Sequence, residues 1–161
     1  MSTPPERLTA RVLLLDRNDR ILLMKGRLPG HEDGPGAWFT VGGGVEAGET
    51  VLEAASREIL EETGIADFTL GPAVWLREGV LNIPEPRTFK EFYVLARCEG
   101  AEPTREGWNA LERALIDDIR WWTLAELMTT QDAVFPPGLA QRLPAVLNGA
   151  FPTEPERIPW A

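Results

Sequence analysis

The first quarter of the chain alternates between apolar runs and polar or glycine-rich connections, a pattern that predicts strands. The apolar run at residues 8–15 predicts a buried strand. After the polar turn at 16–19, a second apolar run at 21–24 predicts its hairpin partner. Residues 26–37 are rich in glycine and proline, which indicates a long loop, and residues 38–41 predict a short strand.

The strongest helix signal begins at Thr50. Thr50 and Glu53 form a capping-box pattern, in which each side chain accepts a hydrogen bond from the other residue's free backbone N–H. Small and apolar residues at 51–59 provide a face that can pack on a sheet. Thr63 and Gly64 predict the end of the helix, because glycine readily adopts the left-handed conformation that closes helices.

The rest of the chain predicts further strands, two shorter helices and an extended tail. Thr123 and Glu126 form a second capping box, which opens a helix through Met128. Another helix is predicted at 138–147, where Pro144 should kink or interrupt it. The predicted strands cover residues 68–76, 79–83, 88–97 and 118–122, with a loop at 100–110 and an extended tail at 150–161.

This mixture of strands and helices lacks the strict alternation of a doubly wound sheet. It favours the α/β (α+β) class, with a mixed sheet and helices packed on its faces. A chain of 161 residues, of which 43% are apolar, suits one domain spanning residues 1–161.

Charge and cysteine content exclude several function classes. The formal charge is −9, which argues against binding to nucleic acid or to anionic membranes, because both need basic patches. The N-terminus lacks the apolar core of a signal peptide, and no apolar run could span a bilayer, so we expect a cytoplasmic protein. Cys98 is the single cysteine and allows no intrachain disulfide. The single histidine, His31, lies in the glycine- and proline-rich loop, where we expect it to be exposed.

Three glutamates of the predicted helix point to metal chemistry. Glu58, Glu61 and Glu62 are spaced i, i+3 and i+4, so they share one helix face, where like charges repel. A bound cation would turn that repulsion into attraction, and Mg²⁺ and Mn²⁺ prefer carboxylate oxygens. The glycines at 42–44 would let backbone groups approach a metal or a phosphate closely. Taken alone, the three glutamates also fit an ordinary solvated helix face.

The complete segment narrows these interpretations. From Gly43 it has the form G-x5-E-x7-R-E-U-x-E-E-x-G-U, where U is a bulky aliphatic residue. It resembles the Nudix box at every specified position, and a chance match is on the order of one in a billion per start position. The resemblance covers about residues 8–130 and leaves a C-terminal helix and tail at 131–161 outside it. The matching residues are Gly43, Glu49, Arg57, Glu58, Ile59, Glu61, Glu62, Gly64 and Ile65.

The resemblance implies a Nudix fold, an α/β/α sandwich with a mixed sheet, and a hydrolase that uses Mg²⁺ or Mn²⁺. It implies that Glu61 and Glu62 are the main metal ligands and that Glu58 is a further ligand or the general base. The Gly42 carbonyl would complete the metal shell. Residues with a structural role in the box would be Gly43, Glu49, Arg57 and Gly64.

Residues outside the box are further candidates. In some Nudix enzymes the general base is a glutamate on a later loop, for which Glu112 is the first candidate and Glu106 the second, although both fit exposed loop residues. Because adjacent strand residues face opposite sides, we expect one of Trp121 and Trp122 in the core and the other partly exposed. Side chains that could meet the phosphates or stack on a base are Arg27, Trp38, Phe39, Trp75, Arg77, Arg87, Lys90 and Trp108.

The reaction that the resemblance implies is attack by water on a diphosphate linkage of a nucleoside diphosphate derivative. A nucleoside triphosphate is the first candidate, ahead of ADP-ribose or another nucleotide sugar and of dinucleoside polyphosphates. A non-catalytic Nudix-fold nucleotide-binding domain is the alternative from another class, but such domains usually lose box glutamates. Isoprenoid diphosphate isomerisation needs a cysteine early in the sheet, whereas Cys98 lies late. Dimers are frequent among similar proteins, and the proline-rich tail could brace a homodimer.

Overall fold

A computed structural model describes residues 5–27, 33–82 and 85–160 of the chain, and within these ranges it contains eight strands and four helices. His31, whose exposure the sequence predicts, and the last residue of the strand predicted at 79–83 lie outside the described residues. The elements are β1 (Glu6–Leu15), β2 (Ile21–Gly26), β3 (Ala37–Gly44), α1 (Val51–Thr63), β4 (Phe68–Asn82), β5 (Pro86–Cys98), α2 (Ala110–Leu115), β6 (Ile116–Trp122), α3 (Leu124–Thr129), β7 (Val134–Phe135), α4 (Leu139–Leu147) and β8 (Glu156–Arg157).

Strand β1 lies in the middle of a mixed sheet with the order β6-β2-β3-β1-β5-β4-β8. It pairs in parallel with β5 along its whole length and antiparallel with β3 on the other side. Strand β7 adds a short parallel pairing to β3. Strand β4 pairs antiparallel with β5, and β8 closes its far edge in parallel.

Alternation along β1 divides the core into two layers. Ala10, Val12 and Leu14 pack with α1 on one face of the sheet. Leu13 and Leu15 pack with α3 and α4 on the other face, because successive side chains of a strand point to opposite sides. The predicted α/β/α sandwich with a mixed sheet is therefore confirmed.

Helix α1 has the capping that its sequence predicts. The Thr50 hydroxyl accepts a hydrogen bond from the Glu53 N–H at 3.1 Å, and the Glu53 carboxylate accepts one from the Thr50 N–H at 3.0 Å. The helix ends at Gly64, whose φ of 72° is left-handed. These caps fix where α1 begins and ends, and so fix which of its residues face the glycines of β3.

Strand β4 is longer than predicted. The sequence suggests separate strands at 68–76 and 79–83, but the strand is continuous from Phe68 to Asn82. The polar residues between them do not form a turn, because Arg77 and Glu78 lie opposite Glu91 and Lys90 of β5. Each of these charged side chains therefore has a partner of opposite charge on the neighbouring strand.

Helix α2 starts at the last residue of the predicted loop at 100–110 and covers a stretch for which the sequence predicts no element. It begins at Ala110, after a capping box in which the Asn109 side chain accepts from the Glu112 N–H at 2.8 Å and Glu112 accepts from the Asn109 N–H at 3.0 Å. The Asn-x-x-Glu pattern could have predicted this start. The short helix turns the chain back into the edge strand β6.

Helix α4 runs through Pro144 without interruption from Leu139 to Leu147. Of the predicted kink or interruption, the interruption does not occur, because Leu139, Leu143 and Val146 pack into the core and hold the helix on the sheet. No helix in the described part of the chain has the length and apolar character that crossing a bilayer requires.

Both tryptophans at the end of β6 are buried. Trp121 is 8% exposed and packs in the α1 layer, whereas Trp122 is 2% exposed and packs in the opposite layer. The prediction that one of the two would be partly exposed is wrong. Strand β6 lies at the sheet edge, but both of its faces are covered.

Candidate active site

Arg57 fastens the loop before α1 to the helix. Its guanidinium contacts both carboxylate oxygens of Glu49, with Nε 2.7 Å from Oε2 and Nη2 2.9 Å from Oε1. Nη2 also donates to the Gly44 carbonyl at 3.0 Å. The hydrogen bonds from Arg57 lower the pKa of Glu49 to about 2, so this carboxylate stays charged and paired. The loop at 44–49 is thereby held in register with the helix.

Glu58 and Glu62 form a pair of buried carboxyl groups beside the glycines of β3. They are 8% and 5% exposed, and Glu58 lies close enough to act on the charge of Glu62. The Gly42 N–H faces Glu62 Oε2 at 3.5 Å. Burial first, and then the interaction with Glu58, raises the pKa of Glu62 well above its ordinary value. A Cβ on Gly43 would lie 2.5 Å from Glu58 Oε1, so any other residue there would displace this carboxylate.

Glu61 lies at the exposed side of the pair. Its side chain is 50% exposed, and its Oε2 is 3.2 Å from Arg57 Nη1, which also lies 2.9 Å from Glu58 Oε1. With these arginine contacts in place, no three acidic, histidine or cysteine side chains in the described ranges form a complete ligand set for a metal.

The donor chemistry nevertheless fits a hard divalent cation. Burial and the neighbouring Glu58 favour the protonated form of Glu62, because a buried charge without compensation is costly. A cation can replace that proton, and carboxylate and carbonyl oxygens are the ligands that Mg²⁺ and Mn²⁺ prefer. Glu58 and Glu62, with Glu61 released from Arg57 and the Gly42 carbonyl, could hold such an ion.

The loop before α2 packs against the end of α1. The Trp108 indole N–H donates to the Glu62 carbonyl at 2.7 Å, and the Thr104 N–H donates to the Thr63 carbonyl at 2.7 Å. This packing brings Glu112 close enough for its charge to raise the pKa of Glu62 further. Glu106, the second candidate for a base outside the box, is exposed on the preceding turn.

Comparison with known proteins identifies the family. The profile of the NUDIX domain matches residues 5–143. The chain belongs to the Nudix family. Its enzyme class follows, because Nudix hydrolases are pyrophosphohydrolases that generally use divalent metal ions and act on small nucleotides.

Three Nudix relatives show how far the similarity extends. A mouse (Mus musculus) oxidized purine nucleoside triphosphate hydrolase is 32% identical over 132 residues, which cover 77% of this chain and 81% of the relative. A MutT NUDIX hydrolase from Burkholderia pseudomallei is 25% identical, with a TM-score of 0.56 and coverage of 84% and 95%. An ADP-ribose pyrophosphatase from Streptococcus suis is 18% identical, with a TM-score of 0.59 and coverage of 98% and 99%, and shares the fold.

The Nudix box adjoins a second group of charged residues, two of which the sequence analysis missed. Arg11 Nη1 donates to the Gly42 carbonyl at 3.3 Å, and Arg11 Nε lies 3.2 Å from Glu91 Oε2. Arg77 donates twice to Glu91 Oε1, from Nε at 2.9 Å and from Nη2 at 2.6 Å. Burial raises the pKa of Glu91, but Arg11 and Arg77 outweigh burial and hold it below its ordinary value.

A sequence signal for Arg11 and Glu91 exists in the strands themselves. Arg11 lies in a run that is otherwise buried and mostly apolar, and Glu91 lies in the strand that pairs with it. A charged residue inside such a strand needs a partner of opposite charge. The sequence cannot name that partner, because the register between β1, β5 and β4 depends on the fold.

Several of the proposed substrate contacts are buried or paired within the fold. Trp38 is 4% exposed and donates to Asp132 at 3.0 Å, and Trp75 and Trp108 are also buried, so their rings offer no open face for a base. Arg77 is occupied by Glu91. The sequence could not exclude these roles, because tryptophan and arginine serve in cores as well as in binding sites.

The other candidates are paired with acidic residues, exposed or partly buried. Arg27 is 2.8 Å from Asp117 in an ion pair, and Lys90 is 3.8 Å from Glu78. Arg87 is exposed near the start of β5. Phe39 is partly buried against the α1 layer. Their contact with a substrate remains a prediction.

Proposed function

We propose that this Nudix enzyme hydrolyses a diphosphate linkage in a nucleoside triphosphate, including oxidised forms, and that it uses Mg²⁺, for which Mn²⁺ can substitute. The observation that carries the proposal is the buried pair of Glu58 and Glu62 beside Gly42, within a complete Nudix box. A solvated acidic helix face would leave both carboxylates in water, which is not how these two residues lie.

Four groups of the chain would hold the cation: the carboxylates of Glu58, Glu61 and Glu62 and the carbonyl of Gly42. A divalent cation bound there supplies positive charge to the substrate's phosphate oxygens and lowers the pKa of coordinated water. Arg57 would then keep its contacts to Glu49 and Gly44, which orient the helix against the loop.

Glu112 is the proposed general base. Its Oε1 accepts the Asn109 N–H, which fixes the side chain, and its charge acts on Glu62. A carboxylate in this position can accept a proton from the attacking water, provided that it lies within hydrogen-bond reach of that water when substrate is bound. Glu58 is the alternative base inside the box.

The substrate class rests on relatedness. The mouse relative, named for hydrolysis of oxidized purine nucleoside triphosphates, is 32% identical and is matched over 81% of its length. The ADP-ribose pyrophosphatase shares only 18% of its residues with this chain, and a shared fold does not select a substrate. Nucleoside triphosphates therefore come first.

The test is a product analysis of the wild-type protein with Mg²⁺ on three substrate groups: ordinary and oxidised nucleoside triphosphates, ADP-ribose, and dinucleoside polyphosphates. We expect a nucleoside monophosphate and pyrophosphate from the first group, with the highest kcat/KM and no turnover after chelation. Higher kcat/KM on either other group would overturn the substrate assignment. Nucleotide binding without turnover of any group would favour the non-catalytic alternative.

A further inference from the structure

The C-terminal tail extends the sheet beside β4. Strand β8 pairs in parallel with Trp75 and Leu76, and the Ile158 N–H donates to the Leu76 carbonyl at 2.9 Å. Ile158 is 6% exposed and belongs to the core layer that contains α4. The tail is therefore anchored by both backbone pairing and burial, and it carries Trp160 to a defined place.

Trp160 covers the guanidinium of Arg77. The Arg77 Cζ lies 4.4 Å from the centroid of the Trp160 ring, and Arg77 Nη1 donates to the Trp160 carbonyl at 3.0 Å. Gly79 of β4 makes this possible, because a Cβ there would overlap the indole ring. The absence of a side chain at Gly79 therefore leaves the space on β4 that the Trp160 ring occupies.

A continuous chain of contacts runs from Trp160 to the Nudix box. Arg77 binds Glu91, Glu91 binds Arg11, and Arg11 donates to the Gly42 carbonyl at 3.3 Å. The side chains of Arg77 and Glu91 are 9% and 7% exposed. Each charged group in this series is oriented by the next, and water has little access to its middle.

We propose that Trp160 is a positioning residue, which acts through Arg77, Glu91 and Arg11 to hold the Gly42 carbonyl in the orientation that binds the divalent cation. The inference rests on the proposed function, because it assigns the Gly42 carbonyl to the metal shell. A carbonyl oxygen has two lone pairs, so the hydrogen bond from Arg11 leaves one lone pair for a cation.

Removal of the Trp160 ring would affect the metal site by weakening the contacts from Arg77 through Glu91 and Arg11 to Gly42. Water would reach Arg77 and compete for its hydrogen bonds, and Glu91 and Arg11 would lose their fixed positions. Outer partners of metal ligands orient those ligands, and their loss commonly weakens metal binding by about 10- to 100-fold. Since Trp160 lies several contacts from Gly42, we expect an effect near the lower end of that range.

Two variants displace the ring by independent routes. Trp160→Ala removes it, and Gly79→Ala pushes it away from β4 while leaving the tail sequence intact. Trp160→Phe keeps an aromatic face over Arg77 and serves as the conservative rescue. The matched control is Arg157→Ala, which alters a tail side chain that is 70% exposed and pairs only with Glu78 among its described ion pairs.

The measurement is Mn²⁺ affinity by electron paramagnetic resonance titration of the full chain, with melting temperature as a check on folding. Trp160→Ala and Gly79→Ala should each weaken Mn²⁺ binding about tenfold, whereas Trp160→Phe and Arg157→Ala should stay close to wild type. The double variant should be no weaker than Trp160→Ala, because no ring is left for the new methyl group to displace. The loss of turnover should be recovered by raising Mg²⁺.

Unchanged Mn²⁺ affinity in folded Trp160→Ala and Gly79→Ala would overturn the positioning role, even if both variants melted earlier. That result would leave the proposed function standing, since wild type would still bind the ion. If wild type itself bound no Mn²⁺ at the box, both proposals would fail together. If Trp160→Ala did not fold, Gly79→Ala alone would decide, since it keeps the tail sequence.

Discussion

Two groups of buried charged residues meet at Gly42, and they differ in how their charge is balanced. On one side, Glu91 lies between Arg11 and Arg77, so the carboxylate has two cationic partners. On the other side, Glu62 lies beside Glu58, which raises its pKa, and among the charged groups that act on Glu62 only Arg11 lowers its pKa. The first group is compensated within the protein, whereas in the second Arg57 pairs with Glu58 and leaves Glu62 for an added cation to neutralise.

The contrast separates a structural role from a binding role. Burial of a charge is expensive unless a partner compensates for it, and a compensated network needs nothing from outside. A buried pair of carboxyl groups lowers the stability of a fold. Such pairs are common at functional sites, where a ligand can supply the missing positive charge. The two groups should therefore respond in opposite ways when a carboxylate is removed.

The largest expected effect is on catalysis by Glu62→Gln. Loss of one metal-binding carboxylate should remove several kcal/mol of transition-state stabilisation and lower kcat/KM by a factor on the order of 10⁴. The free energy of unfolding without metal should not fall, because the substitution replaces a buried carboxyl group by a neutral amide. Steady-state kinetics and thermal melts check both parts, with the exposed Glu46→Gln as control. Wild-type turnover in Glu62→Gln would remove this residue from the site.

The next effect is on folding by Glu91→Ala. It should leave Arg11 and Arg77 buried without their anion and lower the free energy of unfolding by about 3 to 5 kcal/mol. The matched control is Glu78→Ala, whose ion pairs with Arg157 and Lys90 are partly exposed to solvent and should contribute less than about 1 kcal/mol each. Urea unfolding measures both variants. Equal losses would show that the Glu91 group is no more than a surface ion pair.

Glu112→Gln should affect the rate less strongly. A general base commonly contributes about 100-fold or more, so kcat should fall by that factor while KM changes little. Glutamine preserves the capping box of α2, so the helix should remain intact. Glu106→Gln, on the exposed turn, is the comparison and should behave as wild type. If Glu106→Gln caused the larger loss, the assignment of the base would be reversed.

The smallest effect is stabilisation of wild type by metal. At tenfold excess over Kd, Mg²⁺ should add about 1.4 kcal/mol to the free energy of unfolding. Glu58→Gln should reduce this gain, whereas Glu46→Gln should keep it. Differential scanning calorimetry with and without Mg²⁺ provides the comparison. A gain that Glu58→Gln leaves unchanged would show that the ion binds elsewhere.

Local signals in the sequence predict one of these two groups and not the other. The Nudix box, the caps at Thr50 and Gly64, and the face shared by Glu58 and Glu62 all depend on residues close together in the chain, and the structure confirms the predicted helix. Arg11, Glu91 and Arg77 come from three strands and meet through sheet register. Register depends on the whole fold, so their pairing could not be predicted from local patterns.

The errors of prediction have related causes. The strand β4 was divided because polar Arg77 and Glu78 suggest a turn when their cross-strand partners are unknown. The tail is predicted to be extended, and its strand β8 agrees with this, but nothing in its composition indicates that Trp160 meets Arg77. Tertiary contacts decide these cases, and they also decide that Trp38 packs in the core.

The most direct test is the position of a bound ion in crystals soaked with Mn²⁺. Anomalous scattering should show a peak within about 2.0 to 2.4 Å of carboxylate oxygens from Glu58 and Glu62 and of the Gly42 carbonyl, with Glu61 turned away from Arg57. Crystals with no peak there, in which Glu58 and Glu62 still contact each other and Arg57 still holds Glu61, would contradict the assignment of this helix as the metal site.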